Sequence, residues 1–325
     1  MSLSRRNFIK LMGSGAAALG VSGIIQGPAW LNTVSKALAA NKAGNIPVIW
    51  LQGQSCAGCS VSTINTRFPD IAEVLTSIIS LEFHPNIMAS SGYPALSILE
   101  NATKKAGEFV LVVEGSISTA DKGLYSTMGG DDNNPITTLD WVKKLGPSAK
   151  AILNIGTCSS FGGIPAADGQ ETGAKSVPEI LPGATMINIP GCPSHPDWVI
   201  GTIAHVLLYG LPELDRDRRP KMFFSNLVHE LCERRHYYEE GIMAEDYSDE
   251  GCLHELGCKG PIAHCDASIR GWNNRVNWCV RSGGPCIGCT EPSFPDHKGD
   301  GLYAALPESA LQGIAWVKNK KTAAA

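Results

Sequence analysis

Eleven cysteines are spaced along this chain in a way that suits soft-metal ligation. Cys56 and Cys59 form a Cys-x-x-Cys pair, Cys158 lies in Gly156-Thr-Cys158, and Cys192 lies in Pro190-Gly-Cys-Pro193. Seven more follow Arg216: Cys232, Cys252, Cys258, Cys265, Cys279, Cys286 and Cys289, the last two again Cys-x-x-Cys. An odd number cannot pair entirely as disulfides within one chain. One histidine completes the arithmetic. His229 stands three residues before Cys232, and on a helix that spacing puts both on one face. Eleven cysteines and one histidine make three sets of four: Cys56, Cys59, Cys158 and Cys192; His229, Cys232, Cys252 and Cys258; Cys265, Cys279, Cys286 and Cys289. His254, beside Cys252, competes with His229. His264 adjoins a cysteine that already has three partners, and His84, His195, His205, His236 and His297 read as packing or surface residues. A lone Cys-x-x-Cys also reads as a redox dithiol, but Cys158 and Cys192 weigh against that here. Thiolate-rich sets select zinc or iron–sulfur clusters. Three clusters in one chain would act together as one-electron carriers, with potentials set by ligand type, hydrogen bonding and exposure.

The elements needed to place these residues follow from hydrophobic pattern. Pro47–Leu51, Ser80–His84, Phe109–Val113, Ala151–Ile155 and Met186–Ile189 read as strands. Ile71–Ser80, Tyr93–Lys105, Ile136–Leu145 and Pro196–Tyr209 read as helices. Near-continuous apolar strands separated by helices predict a parallel sheet covered on both faces, a flavodoxin-like, doubly wound α/β domain. The first four cysteines each follow a strand, so they gather at the carboxyl edge of the sheet, where such folds bind ligands. From Arg216 onward the chain is rich in Gly, Pro, Asn and Asp. It has one helical stretch, Phe224–Tyr238, and no periodic core, so metal staples are expected to hold it together. The expected organisation is 1–39 leader, 40–215 sheet domain, and 216–325 a smaller, mostly irregular domain with two cysteine sets.

Lys and Arg number 27 against 31 Asp and Glu, a net charge of −4. The first 39 residues hold four of the bases and no acid, so the rest is more acidic still, which excludes nucleic acid as a main partner. Arg5-Arg6 opens a weakly apolar, glycine-diluted stretch ending in Ala37-Leu38-Ala39. This is a twin-arginine leader with cleavage before Ala40, and it is too dilute and too short for a span. That route exports folded, cofactor-loaded proteins, and no later stretch reads as a membrane span. His229–Glu255 carries nine acids against Arg234 and Arg235. It is expected to steer a basic redox partner.

With these motifs in place, the chain resembles the small subunits of periplasmic nickel–iron hydrogenases along essentially its whole length. The motifs are the leader, Cys56-Ala-Gly-Cys59, Val113-Glu-Gly-Ser-Ile117, Gly156-Thr-Cys158, Pro190-Gly-Cys-Pro193, Leu256-Gly-Cys-Lys-Gly-Pro261, Trp272-Asn273 and Gly284-Pro-Cys-Ile-Gly-Cys289. The resemblance implies a proximal [4Fe-4S] cluster on Cys56, Cys59, Cys158 and Cys192 and a distal one on His229, Cys232, Cys252 and Cys258. It puts the medial cluster on Cys265, Cys286 and Cys289. Many members have proline where this chain has Cys279, and their medial cluster is [3Fe-4S]. A fourth thiolate there implies a full [4Fe-4S] cluster and the nickel–iron–selenium branch. Gly58 and Gly163 stand where oxygen-tolerant members carry two extra cysteines. By the same resemblance H₂ chemistry belongs to a large subunit holding a Ni-Fe(Se) site, no catalytic residue lies in this chain, and electrons pass to a periplasmic multihaem cytochrome c. Glu114, at a strand end, lies near the proximal cluster or the subunit interface, or else in a solvated loop. The rival readings are a stand-alone exported multi-cluster ferredoxin-like carrier and an exported zinc or disulfide protein.

Overall fold

The computed structural model of the chain describes residues 45–167, 170–295 and 301–307. The expected leader and His297 lie outside the described residues. Among the described residues seven strands form: β1 Ile46–Gln52, β2 Ile79–Phe83, β3 Val110–Glu114, β4 Thr127–Gly130, β5 Pro135–Thr137, β6 Ala151–Ile155 and β7 Met186–Ile189. Five make one sheet in the order β2-β1-β3-β6-β7, every pair parallel. Counting only its own strands, this is the 2-1-3-4-5 order of doubly wound folds, with the switch point between β1 and β3. β4 and β5 form a separate antiparallel pair.

Strands buried on both faces explain the unbroken apolar runs. All five residues of β3 and all five of β6 are buried. On one face Ile49, Leu51, Leu111, Val113 and Ile152 pack with Leu99 and Trp141 of two covering helices, Gly92–Ala102 and Thr138–Leu145. On the other, Trp50, Val112, Leu153 and Ile187 pack with Trp198, Val199 and Ile203 of helix Pro196–Tyr209. That second core runs on without a break into Phe223, Phe224, Val228, Leu253 and Trp278. Each such fully buried side chain contributes about 1.5–3 kcal/mol. The carboxyl-terminal part is therefore fastened to the sheet's own core.

Two expected helices are corrected. The stretch Ile136–Leu145 starts as strand β5, and its helix begins at Thr138. Thr137 and Asp140 form a capping box there, each side chain accepting from the other's backbone N–H (3.1 and 2.9 Å). The helix read over Phe224–Tyr238 is broken into three pieces: Lys221–Phe224, a 3₁₀ turn His229–Leu231, and Arg235–Glu240. The backbone N–H groups of Val228 and His229 donate to Ala263 (2.8 Å) and Gly260 (3.0 Å) across the chain. They are therefore lost to a helical ladder. His229 and Cys232 still share a side, because residues three apart eclipse one another on a 3₁₀ turn.

Candidate metal centre

All eleven thiols are free, with no disulfide among the described residues. The first four meet at the carboxyl edge of the sheet. Cys56 precedes and Cys59 lies in a short helix, α1 (Gly58–Ile64), after β1; Cys158 opens α2 (Thr157–Phe161) after β6; Cys192 follows β7. Two of the four thus sit in helix first turns. Cys59 lies close enough to Cys158 and Cys192, and Cys158 to Cys192 and Cys56, that ionising one would disfavour ionising the next. The approach is close enough to demand glycine: at Gly156 (φ +86°) a Cβ would stand 2.5 Å from the Cys59 Sγ. At Gly163 (φ +55°) it would stand 2.9 Å from the Cys158 Sγ.

Glu114, the last residue of β3, lies buried under this group. Its Oε1 accepts from the backbone N–H of Cys59 (3.1 Å) and Ser60 (3.2 Å) and from Ser55 Oγ (3.1 Å). Its Oε2 accepts from Trp50 Nε1 (3.1 Å), Gln52 Nε2 (3.0 Å) and Ser60 Oγ. A carboxylate at the start of a helix, satisfied by six donors, holds the Cys59 backbone in place. The solvated-loop alternative is excluded. The sequence signal was a glutamate ending an otherwise apolar strand at the switch point.

The second group lines a cavity of about 280 Å³. Cys265, Cys279, Cys286 and Cys289 all face it, with Trp198, Trp272 and Trp278 as apolar wall. Cys192 lines it too, and the Cys192 backbone hydrogen-bonds the Cys289 thiol. A buried ion pair braces this wall. Arg219 Nη1 donates to the Thr290 carbonyl (3.1 Å) and to Glu291 Oε1 (2.9 Å). Glu291 in turn accepts from the His264 backbone N–H (2.6 Å). The chain segments carrying Cys265 and Cys289 are thereby tied together. The sequence reading missed this brace, because its partners lie 71 and 72 residues apart.

The third group is Cys232, Cys252 and Cys258, near enough that ionising one would disfavour ionising the others. Gly260 joins His229 to them: it accepts the His229 N–H, and a Cβ on it would stand 3.4 Å from the Cys258 Sγ. The Tyr238 ring meets both imidazoles edge-on, His229 at 5.1 Å and His254 at 5.9 Å. The Cys286 N–H donates to the Cys258 Sγ (3.3 Å), so this group adjoins the second as the second adjoins the first. His84 and His195 are packing residues, as expected; His195 caps helix Pro196–Tyr209 by accepting the Asp197 N–H (3.1 Å).

Burial pushes the Cys158, Cys258 and Cys289 thiols up to about 12 and Cys232 up to about 11. Burial, with His254 beside it, holds His229 down at about 4. In the bare chain these thiols keep their protons. A positively charged centre that displaces them supplies the compensating charge, and a neutral imidazole is a ready ligand. Among the described residues no three Cys, His, Asp or Glu converge on a single ion. Four thiols spread round a 280 Å³ volume fit a cluster rather than a zinc ion, whose sulfurs sit about 2.3 Å from one point.

Residues 56–206 match the family model of the NADH ubiquinone oxidoreductase 20 kDa subunit, and residues 224–300 match the model for the C-terminal part of the NiFe/NiFeSe hydrogenase small subunit. The chain is 45% identical over 315 residues to the periplasmic [NiFeSe] hydrogenase small subunit of Desulfomicrobium baculatum, covering 92% of this chain and 98% of that protein. It is 39% identical to the hydrogenase-2 small chain of Escherichia coli K12, covering 91% and 79%. Among solved structures, the reduced, active Ni-Fe-Se hydrogenase of D. baculatum superposes with a TM-score of 0.77 at 45% identity, over 81% of this chain and all of that one.

Proposed function

The chain belongs to the family of NiFe and NiFeSe hydrogenase small subunits, electron-transfer partners of a large subunit that contains the catalytic site, and from that premise we propose the following assignment of its ligands. Cys56, Cys59, Cys158 and Cys192 hold a proximal [4Fe-4S] cluster; Cys265, Cys279, Cys286 and Cys289 a medial [4Fe-4S] cluster; His229, Cys232, Cys252 and Cys258 a distal [4Fe-4S] cluster. Iron–sulfur clusters, when bound, supply reversible one-electron chemistry. This chain's own residues position them. Glu114 fixes the Cys59 backbone, the Arg219–Glu291 pair fixes the Cys265 and Cys289 segments, and His229 offers a neutral donor at the outermost set.

The observation that carries the medial assignment is the cavity with Cys279 as its fourth thiol. Low-temperature EPR of the oxidised holoenzyme tests it. The expected spectrum lacks a [3Fe-4S] signal, and Cys279→Pro introduces one. A [3Fe-4S] signal in the unaltered protein would return Cys279 to a packing role, and absence of iron would end the whole assignment.

We further propose a division into 40–215 and 216–325; the two family models, 56–206 and 224–300, fall either side of it. The protein is periplasmic, exported by the twin-arginine leader at 1–39, as the names of its relatives and the leader's composition support. Among the described residues no helix is long and apolar enough to cross a membrane. Its electron acceptor is a basic multihaem cytochrome c. Eight of the nine acids between His229 and Glu255 are exposed around the distal set. Glu239 is partly balanced by Arg235 (2.8 Å) and Glu233 by Arg281 (2.5 Å). Reduction of such a cytochrome should slow steeply with ionic strength. A rate insensitive to salt would refute electrostatic docking there.

A further inference from the structure

We propose that the Thr157 hydroxyl is the junction between the proximal and medial cysteine groups, a positioning residue that sets the gap an electron crosses between them. This rests on the ligand assignment above and goes beyond it by naming the side chain that fixes the distance.

Thr157 opens α2, one residue before Cys158, and is 1% exposed. A hydroxyl at the start of a helix ordinarily serves that helix, accepting from a nearby N–H or donating to a carbonyl one turn back. Its neighbours stay local in this way. Ser159 Oγ donates to the Ile155 carbonyl (2.9 Å) and Ser160 Oγ to the Asn154 carbonyl (3.2 Å). Thr157 instead turns away from its helix. Its Oγ1 accepts the Gly191 N–H (2.9 Å) and donates to the Cys289 carbonyl, 132 residues along the chain. A hydroxyl has one proton to give and two lone pairs to receive with, so both bonds are made at once. The branched Cβ leaves few rotamers, which holds the oxygen where both partners need it.

The segments joined here carry thiols on either side of the gap. Thr157 precedes Cys158, Gly191 precedes Cys192, and Cys289 belongs to the second group. The β6–β7 pairing ends at Ile155 and Ile189. Beyond it the Gly156 N–H donates to the Ile189 carbonyl (2.9 Å) and the Thr157 N–H to the Gly191 carbonyl (3.0 Å). With the hydroxyl bond in return, Thr157 and Gly191 grip each other at two points. Gly191 is itself a tight fit: at φ +144° a Cβ would stand 2.7 Å from the Pro193 carbonyl oxygen. The other bond of the hydroxyl carries this fixed position across to the Cys286-Ile-Gly-Cys289 loop. The Cys192 backbone also reaches the Cys289 thiol, so the loop is held at its sulfur by Cys192 and at its carbonyl by Thr157.

The step served is the passage of one electron between the two centres: one is oxidised as the other is reduced, and Thr157 neither gains nor loses a proton or a bond. Transfer between fixed centres falls steeply with their separation, so slack of about 1 Å at this junction is as costly as misplacement is in catalysis. Without the hydroxyl, the buried Gly191 N–H and the Cys289 carbonyl both lose this partner, and nothing else printed in the local geometry of α2 replaces it.

The test is removal of the hydroxyl at nearly constant shape in the holoenzyme. Thr157→Val puts a methyl where the oxygen was and leaves no room for a water to stand in; Thr157→Ser keeps the hydroxyl. Low-temperature EPR of the fully reduced protein reads the magnetic interaction of the proximal and medial clusters as a splitting of their signals, and flash photoreduction reads the transfer between them. T157V is expected to narrow the splitting and to slow the transfer about tenfold, with distal signals unchanged, and T157S to match the unaltered protein. T157V indistinguishable from the unaltered protein would overturn the proposal. So would T157S as impaired as T157V, which would make Thr157 a packing residue. If T157V assembles without a full set of clusters, loss of the medial together with the proximal signal, against full loading of T157S, supports the junction, and loss of the proximal signal alone overturns it. Absence of cluster signals in the unaltered protein would instead count against the ligand assignment.

Discussion

The two halves of this molecule hold their cysteines by opposite means. In the sheet half, β1, β3, β6 and β7 exist for reasons of apolar burial, and the thiols ride on the turns that leave them. Glu114 finishes the arrangement with six hydrogen bonds drawn from residues of that same edge. In the carboxyl-terminal half, helices are four to six residues long, and single backbone contacts such as Val228 to Ala263 replace ladders. There the chain has no sheet of its own among the described residues, leans on the sheet domain's core through Phe223, Phe224, Val228, Leu253 and Trp278, and leaves more of its stability to whatever the cysteines hold. One half makes a site out of a fold, and the other makes a fold out of sites.

Removing the metal should separate the halves most sharply. Chelation of the holoenzyme under reducing conditions, or Cys286→Ala, is expected to abolish hydrogen-exchange protection across residues 221–290 while β1, β3 and β6 stay protected. Loss of protection everywhere would dissolve the comparison. Next in size is Arg219→Met, which leaves buried Glu291 and half-buried Asp215 without their cation. A loss of about 3–5 kcal/mol is expected from denaturant unfolding, with medial cluster signals lost before proximal ones. Glu114→Gln should cost about 1–3 kcal/mol, because an amide nitrogen now faces donors that had met an oxygen. Its spectroscopic effect should be confined to the proximal cluster.

The smallest effect belongs to Thr137→Ala, which removes a helix cap remote from every cysteine and should cost about 1 kcal/mol. It also carries a pH signature. Burial would raise the Asp140 carboxyl, but hydrogen bonds from Thr137 and the charges of Lys144 and Lys143 outweigh it and hold the group below its ordinary range. A carboxylate depressed in the folded state contributes stability above its unfolded pKa of about 3.9 and loses it as pH falls through the folded value. The difference between the unaltered protein and Thr137→Ala should therefore shrink below about pH 4, as read by thermal unfolding.

Legibility in the sequence followed the same divide. Strands such as Ala151–Ile155 and Met186–Ile189 were readable to the residue, because burial on both faces leaves an unbroken apolar signature. The sheet edge then followed from chain order, and with it the meeting of Cys56, Cys59, Cys158 and Cys192. The Phe224–Tyr238 stretch misled, because its helix-like pattern yields to cross-chain bonds from Val228 and His229 that no local window contains. The Arg219–Glu291–His264 brace was invisible for the same reason. Glu114 was half legible: its place at a strand end pointed to the site, but its donors come from Trp50 to Ser60, more than fifty residues upstream.

The Cys286-Ile-Gly-Cys289 loop has a consequence of its own. One of its thiols takes a backbone hydrogen bond from Cys192, and the backbone of the other donates to Cys258. Both contacts between neighbouring cysteine groups therefore hang on one short covalent span. Insert a residue between Cys286 and Cys289 and neither gap can keep its width. The spacing between the three cysteine groups is thus written into a four-residue ruler, and the two intervals it measures cannot be tuned independently.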